Sequence, residues 1–169
     1  MLLLRHAKSD WHSNARDDFE RPLNARGRRD APKVGRYLVE NDCSPDCIVA
    51  SPSARTTETV ELVCAALGGR AGDGVIYDRR LYHGTPEQIR AIATRHLGDF
   101  ERVLIVAHNP GMELALRAYC PDATPFADGK FMPTCALAVI DFDGAAGATG
   151  GKLRALVRPS ELQGGGRHG

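Results

Sequence analysis

The chain has 169 residues, 43% hydrophobic and 25% charged, which suits one compact domain with a core large enough to fold alone. No apolar stretch is long enough to cross a bilayer and the N-terminus lacks the features of a signal peptide, so we expect a cytoplasmic protein without a membrane partner. The net charge of +1 predicts no nucleic-acid partner, and five cysteines without Cys-x-x-Cys spacing favour reduced thiols over disulfides or a zinc site.

The N-terminal part is predicted to be a strand, a long loop and a helix. Leu2–Leu4 is a wholly apolar run typical of a buried strand. Residues 7–23 are polar and irregular, as in loops that carry function. Asn24 is a candidate cap for a helix over about 25–41, in which Pro32 predicts a kink or a later start.

The middle of the chain continues this alternation. Ile48–Ala50 is a second predicted strand, and a helix from about 53 to 67 follows it and ends at Gly68-Gly69. Val75–Tyr77 is a third strand. The run Thr85-Pro86-Glu87-Gln88 then predicts a helix start, with Thr as the cap, Pro in the first position and Gln completing a capping box.

Val103–Ala107 is the strongest strand signal, and Asn109 is expected to cap a helix that has Pro110 in its first position. Further on, residues 135–142 alternate and residues 153–157 return after a Gly-rich turn at 144–151, which predicts a hairpin at one side of the sheet. The last residues, 160–169, are expected to form a disordered tail.

Strands alternating with helices predict an α/β domain: a three-layer sandwich with a mainly parallel sheet and helices on both faces. Ligands of such folds bind at the carboxyl ends of the strands. Arg5 and His6 end the first strand, Ser51 and Arg55 follow the second, and His108 ends the fourth. We therefore expect these side chains to meet at one edge of the sheet.

Those side chains are the types that phosphoryl transfer to an imidazole requires. A neutral ring nitrogen must stand in line with the phosphorus, and guanidinium groups suit the charged oxygens. Residues 1–36 also carry nine Lys or Arg against five acidic residues, which favours an anionic ligand there. A solvated helix face would account for part of this excess.

At these positions the sequence resembles the histidine phosphatase superfamily, which includes the phosphoglycerate mutases. Arg5-His6-Ala7 is similar to its Arg-His-Gly motif, with Ala7 in place of glycine. Ser51-Pro52-Ser53-Ala54-Arg55 through Thr59 matches its Ser-Pro-x-x-Arg-x-x-x-Thr element, and Leu104 to Asn109 resembles its late strand–His–helix element. The resemblance implies a phosphoglycerate mutase-like fold over residues 1–159.

Within the superfamily, Leu3 to Ser9, the run Arg21-Pro22-Leu23 and the small size resemble the SixA-type phosphohistidine phosphatases. This resemblance implies that His6 becomes phosphorylated, that Arg21 adds a phosphate contact, and that no cofactor is needed. The phosphate pocket that it implies consists of Arg5, His6, Arg55 and His108.

One departure from the superfamily bears on the substrate. Phosphoglycerate mutases and broad phosphatases carry Asp-x-x-Leu-x-Glu where this chain has Asp78 to His83, so His83 replaces an acidic residue. An alkoxide leaves poorly without a proton donor, whereas the imidazole of phosphohistidine leaves readily once protonated. The replacement therefore favours an N-phosphate substrate, and His83 could itself donate the proton because imidazole titrates near neutral pH.

The loop after His6 is open to more than one interpretation. Lys8 and Trp11 are expected to border the substrate entrance, although a packing role for Trp11 is equally compatible with the sequence. Asp17, Asp18 and Glu20 are interpreted as a solvated loop rather than a metal site, and nothing else in the sequence calls for a metal.

Three functions are compatible with these residues. The first is a phosphohistidine phosphatase acting on a phosphorylated protein. The second is a phosphatase or mutase of a small phosphorylated molecule. The third, from another class, is a non-catalytic phosphate-binding regulatory module, which the intact set of Arg and His residues disfavours.

Overall fold

The computed structural model describes residues 1–69, 74–142 and 150–162. Within these ranges, six strands form one sheet: β1 (Leu2–Arg5), β2 (Cys47–Ala50), β3 (Val75–Tyr77), β4 (Val103–Ala107), β5 (Leu137–Asp141) and β6 (Lys152–Val157). The same ranges contain four α-helices, which connect or flank the strands: α1 (Ala25–Glu40), α2 (Ala54–Leu67), α3 (Pro86–Leu97) and α4 (Gly111–Tyr119). None of the helices in these ranges is long and apolar enough to cross a membrane.

The strands lie in the order β3-β2-β4-β1-β5-β6. The first four are parallel, whereas β5 and β6 pair antiparallel at one side. Because side chains alternate along a strand, Leu3 packs on one face of the sheet with α3 and α4, while Leu2 and Leu4 pack on the other with α1 and α2. This confirms the three-layer α/β sandwich and the predicted hairpin.

Several predicted helix ends are confirmed. The Asn24 side chain accepts a hydrogen bond from the Gly27 amide at 2.9 Å, and α1 begins at Ala25 and continues past Pro32. Thr85 and Gln88 form the expected capping box of α3. Gly68 ends α2 in the left-handed conformation, with a φ of 61°.

Two predictions in the second half of the chain are wrong. Asn109 does not cap α4: the helix begins at Gly111 and Pro110 occupies the cap position. The amide nitrogen of Asn109 donates to the Met132 carbonyl (3.0 Å) and to Glu113 (3.2 Å), and its side-chain oxygen is buried without a partner among the described residues. The strand predicted from residue 135 begins at Leu137, and Leu137 to Ile140 are all buried rather than alternating. Strand β5 lies between β1 and β6 with apolar side chains packed on both faces, so it shows no polar side.

The predicted turn at 144–151 and the predicted tail at 160–169 lie largely outside the described residues. The predicted domain boundary at residue 159 therefore stays a prediction. The five cysteines are free thiols.

Candidate active site

The strand-end residues predicted from the sequence come together in one pocket of about 350 Å³. Arg5 is the last residue of β1 and His6 follows it, Arg55 lies in the first turn of α2 after β2, and His108 follows β4. The described residues lining the pocket, which include all seven sequence-predicted site residues, are Arg5, His6, Lys8, Ser9, Trp11, Asp18, Arg21, Arg55, His83, His108, Asn109 and Thr134.

His6 is buried and held by its own loop. Its Nδ1 lies 2.7 Å from the Ala7 carbonyl oxygen. Because a carbonyl only accepts, Nδ1 carries the hydrogen and Nε2 keeps its lone pair. Burial lowers the pKa of His6 to about 3, and the positive charges of Arg55, Arg5 and Arg21 add to this effect. His6 is therefore a neutral imidazole with one nucleophilic nitrogen.

His108 lies beside His6, with 4.9 Å between the ring centroids. Its Nε2 is 2.9 Å from the Ser51 hydroxyl, and its Nδ1 is buried without a hydrogen-bond partner among the described residues. Burial lowers the pKa of His108 to about 2, helped by the nearby His6 and Arg55, so this ring is also neutral. A hydrogen on Nδ1 would be available to an oxygen of a bound anion.

The two strand-end arginines also have unused donors. Arg5 donates one terminal nitrogen to the Met132 carbonyl at 2.8 Å. The Nε of Arg5 and the Nε of Arg55 are buried, and neither has a partner in the described part of the chain. Buried polar groups without partners are rare because desolvating them is costly. Both arginines line the pocket, and an anion with several oxygens is the kind of ligand that guanidinium donors bind.

Asp18 belongs to the pocket, which the sequence interpretation of a solvated loop missed. Its carboxylate accepts from Arg21 Nε (3.1 Å) and NH2 (2.6 Å), from Arg55 NH2 (2.9 Å) and from the Tyr82 hydroxyl (3.0 Å). Burial alone would raise the pKa of this carboxyl, but the bonds from Arg21 and Tyr82 and the charge of Arg55 outweigh it and hold the pKa well below its usual range. The local sequence does not show these partners, because Arg55 and Tyr82 are 37 and 64 residues away from Asp18 along the chain.

Arg21 is nearly buried and faces two groups besides Asp18. Its guanidinium contacts the Ser9 hydroxyl and lies 3.7 Å from the centre of the Trp11 ring. Trp11 itself is 69% exposed, lines the pocket and packs against Arg21, which is compatible with both sequence interpretations.

His83 lines the pocket and follows a short turn. Asp78 begins this turn by accepting a hydrogen bond from the Arg80 amide at 2.9 Å. The His83 ring centroid lies 4.1 Å from that of Tyr82 and 6.0 Å from that of His108. Lys8 lines the same pocket. Their contacts with a substrate stay predictions, as do the roles assigned to the other site residues.

Thr59, the last residue of the second motif, joins the two halves of the site. Its hydroxyl accepts from the Ala7 amide at 3.0 Å and donates to the Arg55 carbonyl at 2.6 Å. It thus links the loop after His6 to the helix that carries Arg55. No group of three or more His, Cys, Asp or Glu side chains within the described ranges is arranged to hold a metal ion.

Known proteins are similar to this chain in sequence and in fold. The model of the histidine phosphatase superfamily, branch 1, matches residues 1–82. An uncharacterised chloroplastic protein of Arabidopsis thaliana is 28% identical over 94% of this chain and 77% of its own length. A structure from Agrobacterium tumefaciens, provisionally named phosphohistidine phosphatase SixA, is 28% identical with a TM-score of 0.79, covering 94% of this chain and 96% of that one.

A tungstate complex of the protein histidine phosphatase SixA has a TM-score of 0.81 at 21% identity, covering 96% of this chain and 98% of that chain, and it supports the fold alone. Together with the three motifs at one sheet edge, the match of the family model over residues 1–82 and the structure at 28% identity support a phosphatase of the histidine phosphatase superfamily.

Proposed function

We propose that this phosphatase removes phosphate from a histidine of another protein through a phospho-His6 intermediate. The observation that carries the proposal is the chemistry of the pocket's acids. Asp18 is the one carboxyl group among the described lining residues, and its hydrogen bonds and lowered pKa keep it ionised. A group in that state cannot protonate an alkoxide, so the pocket is better suited to a leaving group that departs as a neutral ring.

The first step transfers the phosphoryl group between two imidazoles. The Nε2 lone pair of His6 attacks phosphorus, and the bond between phosphorus and the substrate nitrogen breaks with its electron pair staying on that nitrogen. The substrate ring leaves neutral when its other nitrogen carries a hydrogen. Arg5, Arg55 and Arg21 bind the phosphoryl oxygens, and His108 donates to one of them. His83 is the neighbouring imidazole from which a leaving group could take a proton.

The second step returns the enzyme to its starting state. Water attacks the phosphorus of phospho-His6, the bond to Nε2 breaks, and inorganic phosphate leaves with the proton lost by water. His6 is then again neutral, with its Nδ1 hydrogen still on the Ala7 carbonyl.

Relatives support the choice of substrate. Two structures at 28% identity, from Agrobacterium tumefaciens and from Nakamurella multipartita (TM-score 0.72, covering 94% of this chain and 95% of that one), are provisionally named phosphohistidine phosphatase SixA. Phosphatase PhoE of Bacillus subtilis, whose name gives no substrate, matches only 37% of this chain. The physiological partner would be a protein phosphorylated on histidine.

The test compares substrates that differ in leaving group. We expect a histidine-phosphorylated carrier protein to be hydrolysed with kcat/KM on the order of a hundredfold or more above that for phosphoserine, because the alkoxide of an ester is the poorer leaving group and depends more strongly on a proton donor. His6→Ala should abolish hydrolysis and the acid-labile phosphoenzyme. His12→Ala is the control, since His12 is exposed on the same loop. Rapid turnover of phosphoserine or phosphoglycerate without action on the phosphorylated carrier would refute the proposal.

A further inference from the structure

We propose that Asp18 is a positioning residue, which holds the guanidinium groups of Arg55 and Arg21 in the orientation that meets the transferring phosphoryl group. The inference rests on the proposed phosphate site but not on the identity of the leaving group. It assigns a role to a side chain that lies in none of the three sequence motifs.

The hydrogen bonds of Asp18 leave it no capacity for another task. One carboxylate oxygen accepts twice from Arg21, and the other accepts from Arg55 and Tyr82. A carboxylate offers about four acceptor positions, so all of them are filled by protein donors. Asp18 is therefore occupied in orienting its neighbours and cannot serve as an acceptor for substrate.

Arg55 depends on Asp18 for its orientation. Its two recorded guanidinium hydrogen bonds go to this residue, one to the carboxylate at 2.9 Å and one to the backbone carbonyl. Its Nε remains unpaired and buried. Without the carboxylate, Arg55 would keep only the bond to the Asp18 backbone carbonyl and would lose one of the two contacts that orient its guanidinium.

The loop that carries Asp18 is itself anchored, so its carboxylate is a fixed point. The Phe19 carbonyl accepts from the Ala54 amide at 3.0 Å, at the start of α2. Further along, the Asp10 amide donates to the Pro22 carbonyl at 2.8 Å. These backbone bonds tie both the loop and the first turn of the Arg55 helix into one frame.

Charge and orientation make opposite predictions for the loss of Asp18. Four cationic side chains line the pocket, Arg5, Lys8, Arg21 and Arg55, against the single carboxylate of Asp18. Removing that negative charge strengthens the attraction of the pocket for any anion. It also releases the arginines from the geometry that the transition state needs. Binding of a ground-state anion and the rate of reaction should therefore change in different directions.

The experiment uses Asp18→Asn in the full chain with an aryl phosphate as substrate. We expect kcat to fall on the order of 10- to 100-fold, below the roughly 100- to 1000-fold loss that follows removal of an oriented donor itself, because Asp18→Asn keeps both arginines. Inhibition by inorganic phosphate should be unchanged or stronger. Asp17→Asn is the matched control, because Asp17 is an exposed residue of the same loop and the substitution removes the same charge. It should leave kcat unchanged.

Three results would overturn the inference. The first is an unchanged kcat, and the second is a raised kcat, which would mean that Asp18 competes with the substrate as an anion. The third is a loss of phosphate inhibition in proportion to the loss of kcat, which would mean that the whole pocket is disrupted. Tyr82→Phe is the second variant and removes only one of the four bonds to Asp18. It should lower kcat by a smaller factor with phosphate inhibition intact, and an unchanged kcat there also contradicts the inference. If the wild type neither releases phosphate from the histidine-phosphorylated carrier nor binds inorganic phosphate, the proposed function fails instead.

Discussion

The hydroxyl of Thr59 offers a direct test of how the site is held together. In Thr59→Val the shape is kept, but the Ala7 amide loses its partner at a position that is fully buried. An unsatisfied buried donor costs about 1–3 kcal/mol, so we expect the free energy of unfolding to fall by that amount. The Ala7 carbonyl is also the acceptor for His6 Nδ1. A shift of the Ala7 backbone would move His6, and it should lower kcat on the order of 100-fold, because small misplacements of reacting groups are costly.

The assay combines urea unfolding with steady-state hydrolysis of an aryl phosphate. Thr59→Ser is the matched variant, because it keeps the hydroxyl and loses only the methyl group, at a cost of about 0.5–1.5 kcal/mol. We expect the serine variant to keep near wild-type kcat although it is less stable. A valine variant with normal kcat, or a serine variant that loses as much activity as the valine variant, would refute the idea that this hydroxyl positions His6.

Two further predictions concern pH and packing. The pKa of His6 is about 3 in the folded protein against 6.5 for an ordinary histidine, so between these values the unfolded chain binds more protons and stability falls as the pH is lowered. By pH 4.5 the contribution of His6 to this loss of stability amounts to about 3 kcal/mol. Urea unfolding at pH 7.5 and 4.5 should therefore show a smaller decrease in the free energy of unfolding for His6→Ala than for the wild type. Equal decreases in the two proteins would contradict the prediction. Gly27→Ala would place a Cβ 2.2 Å from the Lys8 carbonyl oxygen, a backbone atom, and should cost about 1–3 kcal/mol and lower kcat by moving the loop after β1. Gly98→Ala, whose Cβ meets only an ordinary contact at 3.5 Å, should leave the thermal midpoint near that of the wild type, and equal effects of the two substitutions would argue against the clash.

The fold and the centre of the pocket could be predicted because they depend on local patterns and on one topological rule. Apolar runs give the strands, and in a parallel sheet the strand ends meet at one edge, which brings His6 and His108 together although they are 102 residues apart in number. The start of α4 could not be predicted in the same way. An Asn before a Pro is typical of a helix cap, but here Pro110 occupies the cap position, and the Asn109 side chain is held by Met132 and Glu113, which come from beyond the start of the helix.

Asp18 shows why the rest of the site was beyond sequence reasoning. An acidic residue in a polar loop has no local feature that separates a solvated carboxylate from one that binds several side chains of a pocket. Its neighbour Arg21 is three residues away, but Arg55 and Tyr82 come from α2 and from the turn after β3. Such a partnership depends on how the loop folds over α2, and loop conformation follows from tertiary contacts rather than from periodicity.

The charges that suit this pocket to phosphate also keep its nucleophile ready. Burial and the guanidinium charges of Arg55, Arg5 and Arg21 lower the pKa of His6, so the ring stays unprotonated well below neutral pH. In the proposed mechanism His6 becomes a positively charged phosphoimidazolium when the phosphoryl group is transferred, which the same burial and charges disfavour. The phosphoryl oxygens bring negative charge that offsets the arginines. The bound phosphoryl oxygens therefore stabilise the intermediate, and its hydrolysis by water restores the neutral ring that burial favours.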